Sequence, residues 1–375
     1  MDHAAVKTLL CFQIILALTV CSQHTARADQ SRSPETSLLL PATVWAVPRV
    51  ECNLYFNSLL PLASQPLFWN VSCQKGRQMQ ARWTWTPGSE EAGSTPLEIT
   101  ATDDSDQKIA AGKTTVRVAQ EKAGAGKPIR ILIVGDSLTA SGMYTGELLK
   151  LLAGPNEPSP TLLGTQGDAK GNRHEGYPGW TWRRFLTINP TAGPPSPFVF
   201  DGKINFSEYL RTHCEGTPPD FIVVFLGTND VFGLSEAARA TAIAQVLADA
   251  ERLIGILRAG APQAAIGLVI PLSPASQDAF GANYGSGETR RGYVKSLQLY
   301  TTEFLKRFDA REGENIHIIP AALNFDSENG YPVEQQSVHA RSDAKVTRQI
   351  NAVHPAVQGY RQVADAIFAW IKNSL

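Results

Sequence analysis

The chain has 375 residues, enough for two domains, with 43% apolar and 18% charged residues and a formal net charge of −1. That balance excludes a disordered chain, and it supplies neither a basic groove for nucleic acid nor a polybasic face for an anionic membrane. No Cys/His cluster has metal-ligand spacing, and no repeat or low-complexity tract interrupts the sequence.

Residues 1–28 read as a secretory signal: Lys7, an apolar stretch from Leu9 to Val20, then Ala26-Arg27-Ala28 as a small-x-small cleavage site. The stretch is too short to span a bilayer comfortably. The competing reading is a lipoprotein signal with Cys21 lipidated, against which stands the bulk of Val20. Either way the protein is expected to be exported, periplasmic or extracellular. Residues 29–40 contain Ser and Pro and are expected to be a flexible lead.

Residues 41–120 look all-β. Short runs (Thr43–Val47, Leu67–Val71, Gln80–Thr86, Leu97–Ala101, Lys113–Val118) are separated by Pro, Gly, Asp and Ser, and predict a small β-sandwich-like accessory domain. Trp45, Trp69, Trp83 and Trp85 are expected in its core, with carbohydrate binding as the alternative role. Cys52 and Cys73 both fall here, and an oxidising compartment would permit a bridge between them. Cys214 then remains as a partly buried thiol. Residues 121–128 form a Gly-containing linker.

From 129 to 375 strand and helix alternate. Strands are predicted at Ile129–Gly135, Pro160–Gly164, Phe221–Leu226, Ala265–Pro271 and Ile316–Pro320. A helix capped by Ser235 carries Ile243, Val246, Leu247, Ala250, Leu253, Ile254 and Leu257 at helical spacing. A last helix starts near Pro355 with Tyr360, Val363, Ala364, Ile367 and Ile371 on one face. This alternation predicts a parallel sheet covered on both faces.

The chemistry begins at Ile131–Thr139, four β-formers running into Gly135-Asp136-Ser137. Such a strand can hold the Ser137 hydroxyl at the carboxyl edge of the sheet, where open α/β sheets bind ligands. A serine needs a base within reach, and His354, on the loop before the last helix, is the candidate. Gly179, in Tyr177-Pro178-Gly179-Trp180, lets a backbone N–H approach a substrate closely. Asn229 follows a strand and can aim its amide across the sheet edge. Asp136 and Asp230 are expected to brace loops.

Ser137, Gly179, Asn229 and His354, in that order and on those patterns, resemble the SGNH (GDSL-type) hydrolases over Lys127 to Leu375. The resemblance implies a three-layer α/β/α, flavodoxin-like fold and no cofactor. It implies an acyl-enzyme on Ser137 with His354 as base. The oxyanion hole would be Ser137 N–H, Gly179 N–H and Asn229. The block Arg173–Trp180 is similar to that of bacterial carbohydrate acetylesterases, which implies a glycan O-acetyl ester as substrate. Tyr177, Trp180 and Trp182 are then candidate faces for a sugar ring, with packing as the other reading. The loop 279–287 either lines the pocket or is a solvated excursion. Other outcomes are an SGNH-type O-acyltransferase, a short-chain lipase or thioesterase, or an inactive glycan-binding protein.

One position departs from the pattern. These hydrolases place an Asp three residues before the base histidine, and here Asn351 stands there. In serine proteases an Asp-to-Asn change at the orienting position lowers turnover roughly 10⁴-fold. Either Asn351 or a backbone carbonyl orients His354, or a distant acid such as Asp326 or Asp343 does, or the site is weak or dead.

Overall fold

A computed structural model describes residues 36–375 apart from Ser64 and Ser286. The leader with Cys21 and residues 29–35 lie outside the described residues.

The first part of the chain lays down strands β1 (Thr36–Ser37), β2 (Thr43–Ala46) and β3 (Cys52–Tyr55), the short helix α1 (Phe56–Leu59), and strands β4 (Phe68–Cys73), β5 (Arg77–Gln78), β6 (Arg82–Trp85), β7 (Gly93–Thr102) and β8 (Lys108–Val118). One sheet runs β4-β7-β8, with β1 and β2 both parallel to β8 along its far edge; the other runs β3-β6-β5. Between the sheets lies a core of Val44, Leu54, Phe56, Trp83, Trp85, Ile99 and Val116, closed by Leu323 from further along the chain. Trp83 and Trp85 are thus core residues, and Trp69 stacks on Phe56 with centroids 5.0 Å apart. Trp45 turns the other way and donates its indole N–H to the Ile318 carbonyl at 2.7 Å. Cys52, Cys73 and Cys214 are all free thiols, so the bridge considered above is not formed. Residues 36–40, expected in the flexible lead, are instead tied down: Thr36 pairs with Ala110, and Leu38 and Leu39 are buried.

The second part begins with β9 (Pro128–Gly135), followed by α2 (Ser137–Ala140), α3 (Met143–Leu151), β10 (Ser159–Leu163), β11 (Gln166–Gly167), β12 (Arg173–Gly176) and α4 (Trp182–Phe185). The hairpin β13 (Val199–Phe200) and β14 (Lys203–Ile204) leads to α5 (Phe206–His213), β15 (Phe221–Phe225), α6 (Arg239–Gly260), β16 (Ala265–Val269), α7 (Phe280–Tyr284) and α8 (Arg290–Phe308). Then come β17 (Ile316–Ile319), α9 (Ala321–Asn324), the hairpin β18 (Val333–Ser337) and β19 (Lys345–Gln349), and α10 (Val357–Asn373).

Strands β10, β9, β15, β16 and β17 pair in that order, all parallel, which is the flavodoxin-like arrangement. β15 and β16 are buried at every position, as strands covered on both faces must be. Helices α3 and α10 pack together on one face, and α5, α6 and α8 on the other. The chain turns to opposite sides of β9 after its first crossover. The crevice at the carboxyl ends of β9 and β15 is therefore the topological switch point, where such sheets bind ligands.

Residues 36–375 belong to one compact unit. β2 packs against α10 and β17, and β3 against α9. Asn324 Oδ1 accepts from the Asn53 backbone N–H at 2.8 Å across that contact. Lys372 of α10 is fully buried; it pairs with Glu157 at 2.7 Å and donates to the carbonyls of Glu121, Ala123 and Asn156. The segment joining the two parts is thereby fixed to the last helix.

Candidate active site

Ser137 is the first residue of α2, immediately after β9. The turn is tight: a Cβ on Gly135 would collide with Thr139 and crowd the Phe225 carbonyl. Asp136 caps the helix, its Oδ1 accepting from the Leu138 N–H at 2.9 Å. As the leading helical residue, Ser137 has a backbone N–H with no intrahelical partner, and none is found elsewhere among the described residues.

His354 reaches Ser137 from the loop before α10, with Nε2 2.9 Å from Ser137 Oγ. Burial lowers its pKa below the ordinary imidazole range and no charged neighbour offsets that effect, so the ring rests neutral and ready to accept a proton. Its other nitrogen, Nδ1, faces the Tyr284 hydroxyl at 3.5 Å.

Asn351, considered above as the group that orients this ring, does not touch it. Its Oδ1 accepts from the backbone N–H groups of Val353 and His354 at 3.0 and 2.8 Å. It shapes the loop, and a side chain folded onto its own backbone cannot also reach Nδ1. The distant acids do not replace it. Asp326 accepts from the Glu328 and Asn329 backbone and from the Asn329 side chain, and Asp343 is exposed on the turn between β18 and β19.

Gly179 adopts φ +76°, the left-handed region that glycine occupies without strain, and a Cβ there would meet nothing within 4 Å. Its N–H has no partner among the described residues. The Asn229 amide donates to the Trp180 carbonyl at 3.1 Å and to Asp136 Oδ2 at 3.3 Å, linking the loops after β15, β12 and β9. Ser137, His354, Asn229 and, through Trp180, the Gly179 loop therefore converge at one sheet edge.

The aromatic residues beside Gly179 do not offer open faces. Trp182 is 1% exposed and donates its indole N–H to the Tyr300 hydroxyl at 3.1 Å. Trp180 is 7% exposed, stacked on Tyr177 at 4.1 Å and edge-on to Phe185. Tyr177 directs its hydroxyl inward to Glu175 at 2.7 Å. Trp180 and Trp182 are thus packed among neighbouring side chains, and Tyr177 is half-buried beside them.

Two groups escaped the sequence reading. Glu175, fully buried on β12, accepts from Thr165 N and Oγ1, Tyr177 OH and Tyr209 OH, at 2.6–3.0 Å. It lay inside the Arg173–Trp180 block, but a buried carboxylate is invisible until its four donors are in place. Tyr284 lay in the 279–287 loop, which forms helix α7 with Phe280 buried beneath it. Asp136 and Asp230 are both buried, and burial pushes each pKa up to about 7. Asp230 Oδ1 accepts from the Trp182 N–H at 3.1 Å, while Oδ2 has no partner.

Residues 131–367, more than half of the chain, match the GDSL-like Lipase/Acylhydrolase family. The chain belongs to that family. It is an ester hydrolase of the GDSL type, and Ser137 stands in the Gly135-Asp136-Ser137-Leu138 sequence that names the group. No curated protein sequence matches the chain. Among solved structures, a family 3 carbohydrate esterase from Clostridium thermocellum is 18% identical over 66% of this chain and 96% of its own, with a TM-score of 0.39. A carbohydrate acetylesterase family member from Sinorhizobium meliloti is 18% identical over 66% and 100%, at 0.40. The M. smegmatis aryl esterase is 16% identical over 66% and 100%, at 0.37. Among the described residues of this GDSL chain, no helix is long and apolar enough to cross a membrane.

Proposed function

We propose that the protein is an exported serine esterase that removes short acyl groups, O-acetyl groups on carbohydrate first among them. The observation that carries the reading is the 2.9 Å contact between His354 Nε2 and Ser137 Oγ, beside the unpaired N–H groups of Ser137 and Gly179. Ser137 Oγ attacks the ester carbonyl and its proton passes to Nε2. The carbonyl oxygen takes the negative charge and is held by the two N–H groups and the Asn229 amide. Collapse of the tetrahedral species expels the alcohol, which takes the proton from Nε2. Water, deprotonated by His354, then cleaves the acyl-enzyme, releasing the carboxylic acid and free Ser137. The substrate class rests on the Arg173–Trp180 block; Trp180 and Trp182 are buried and Tyr177 is half-buried. The export reading rests on residues 1–28.

The test is release of p-nitrophenol from p-nitrophenyl acetate, and of acetate from an acetylated xylan, by the wild type and Ser137→Ala. Both activities are expected in the wild type and neither in the variant. Equal rates in the two proteins would remove Ser137 from the reaction; activity on the aryl ester alone would withdraw the glycan.

A further inference from the structure

We propose that Tyr284 is the positioning residue for His354, taking over the ring-orienting half of the role that a carboxylate fills in a Ser–His–Asp triad. The inference rests on the serine-esterase reading above.

A third group in such a site has two tasks. It fixes the tautomer so that the nitrogen facing serine is an acceptor, and it stabilises the imidazolium once that nitrogen is protonated. For Nε2 to accept from Ser137, the resting proton must sit on Nδ1. The group facing Nδ1 is the Tyr284 hydroxyl at 3.5 Å, whose oxygen accepts Nδ1–H in that tautomer. Among the described residues no carboxylate is hydrogen-bonded to the ring. Asn351 is committed to the backbone, Asp326 to its own loop, and Asp136 to Leu138 and Asn229. The ionisable groups close to Tyr284 are Tyr293, Tyr331 and Tyr360, all raised by burial and hence neutral. Burial raises Tyr284 as well, so it supplies a dipole and no charge.

The placement of this hydroxyl does not depend on the hydroxyl itself. The Tyr284 ring packs edge-on against Phe232 at 5.1 Å and lies 5.9 Å from Phe280, and both of those rings touch Tyr293. Phe232 is three residues beyond Asn229, so one aromatic cluster seats the oxyanion loop and the orienting hydroxyl together. In the reaction the Ser137 proton goes to Nε2, Nδ1 keeps its own proton and donates it to Tyr284, and Tyr284 keeps its hydroxyl hydrogen.

Two consequences follow. The 3.5 Å contact is weak at rest and strengthens when the ring becomes cationic, so its loss falls on kcat. The base lacks a carboxylate to raise its pKa, so the acid limb of kcat/KM lies below the ordinary imidazole value of about 6.5.

Tyr284→Phe keeps the ring packing and deletes only the oxygen. Its expected effect is a fall in kcat of about five- to tenfold, the scale of one neutral hydrogen bond, with KM and thermal midpoint unchanged. The decisive readout is the ¹⁵N spectrum of His-labelled protein, with His354 assigned through His354→Ala. The wild type should show the Nδ1–H tautomer, and Tyr284→Phe a mixture of tautomers. An unchanged tautomer in Tyr284→Phe overturns the assignment, whatever the rate does, and so does an unchanged kcat. The Ser137→Ala control separates the two claims. If it retains activity the esterase reading falls, while the tautomer of the resting protein still decides the role of Tyr284.

Discussion

Asn229 is the residue on which the oxyanion hole turns, and in the resting structure both hydrogens of its amide are engaged. The bond to Trp180 is the shorter, at 3.1 Å; the one to Asp136, at 3.3 Å, is the one an incoming oxyanion can displace. Such contacts are commonly loose at rest and tighten in the reacting complex. Asn229→Ala should therefore lower kcat by about 10²–10³, the usual cost of one oxyanion donor, with little change in KM. Steady-state kinetics on p-nitrophenyl acetate would show this. A loss confined to KM would mean that Asn229 only holds the Trp180 carbonyl. Asn351 shows the same chemistry used differently. Its identity was readable, but whether its oxygen faces a ring or a backbone depends on the loop's path, and that path is set by contacts such as Ala275 N–H to the Ala352 carbonyl at 3.0 Å.

At the scale of elements, β12 brings Gly179 to the site, and Glu175 holds β12 in place. Four hydrogen bonds converge on this carboxylate. Replacement by Leu would strand the donors, each costing about 1–3 kcal/mol when left unmade. Glu175→Leu should lose about 3 kcal/mol or more in urea unfolding. In Glu175→Gln the NH₂ group can face Thr165 Oγ1 and Tyr177 OH, two hydroxyls able to turn and accept, so its loss should be about 1 kcal/mol. Equal stability of Glu175→Leu and the wild type would show that the network is dispensable. The elements themselves were legible where apolar runs were long. Five of the seven strands in the sheet of the second part, β9, β10, β15, β16 and β17, were anticipated within one or two residues, the central ones because strands buried on both faces are continuous in the sequence; the short β11 and β12 were not. The helix after Ser235 begins later, at Arg239, because Ser235 closes a preliminary turn through Ala238 N–H at 3.3 Å. The burial of Trp180 and Trp182 was not legible, since it arises from Phe185, Tyr300 and Tyr177 folding over them.

For the molecule as a whole, the switch point gathers two acidic groups, Asp136 and Asp230, into the interior, and neither is ion-paired among the described residues. Asp230 is 9% exposed, its Oδ2 is unpaired, and Asp136 adds like charge nearby. With its pKa pushed up to about 7 in the folded state by burial, chiefly, Asp230 stays protonated there at pH 5. In the unfolded chain it ionises near the ordinary value of about 3.9. The folded protein thus binds the extra proton between those values. The stability this gives is full below about pH 4 and is lost as pH rises through about 7. Asp230→Asn removes the titration and keeps an oxygen for the Trp182 N–H. Its stability relative to the wild type should therefore rise between pH 5 and pH 8, by about 2 kcal/mol. The comparison is differential, so it is unaffected by His174, His317 and His354, whose burial lowers their pKa values and makes stability rise with pH over the acid range in both proteins. Urea unfolding of both proteins at the two pH values measures it. The same difference at pH 5 and pH 8 would mean that Asp230 is already ionised in the folded protein, stabilised by a partner that its geometry does not show.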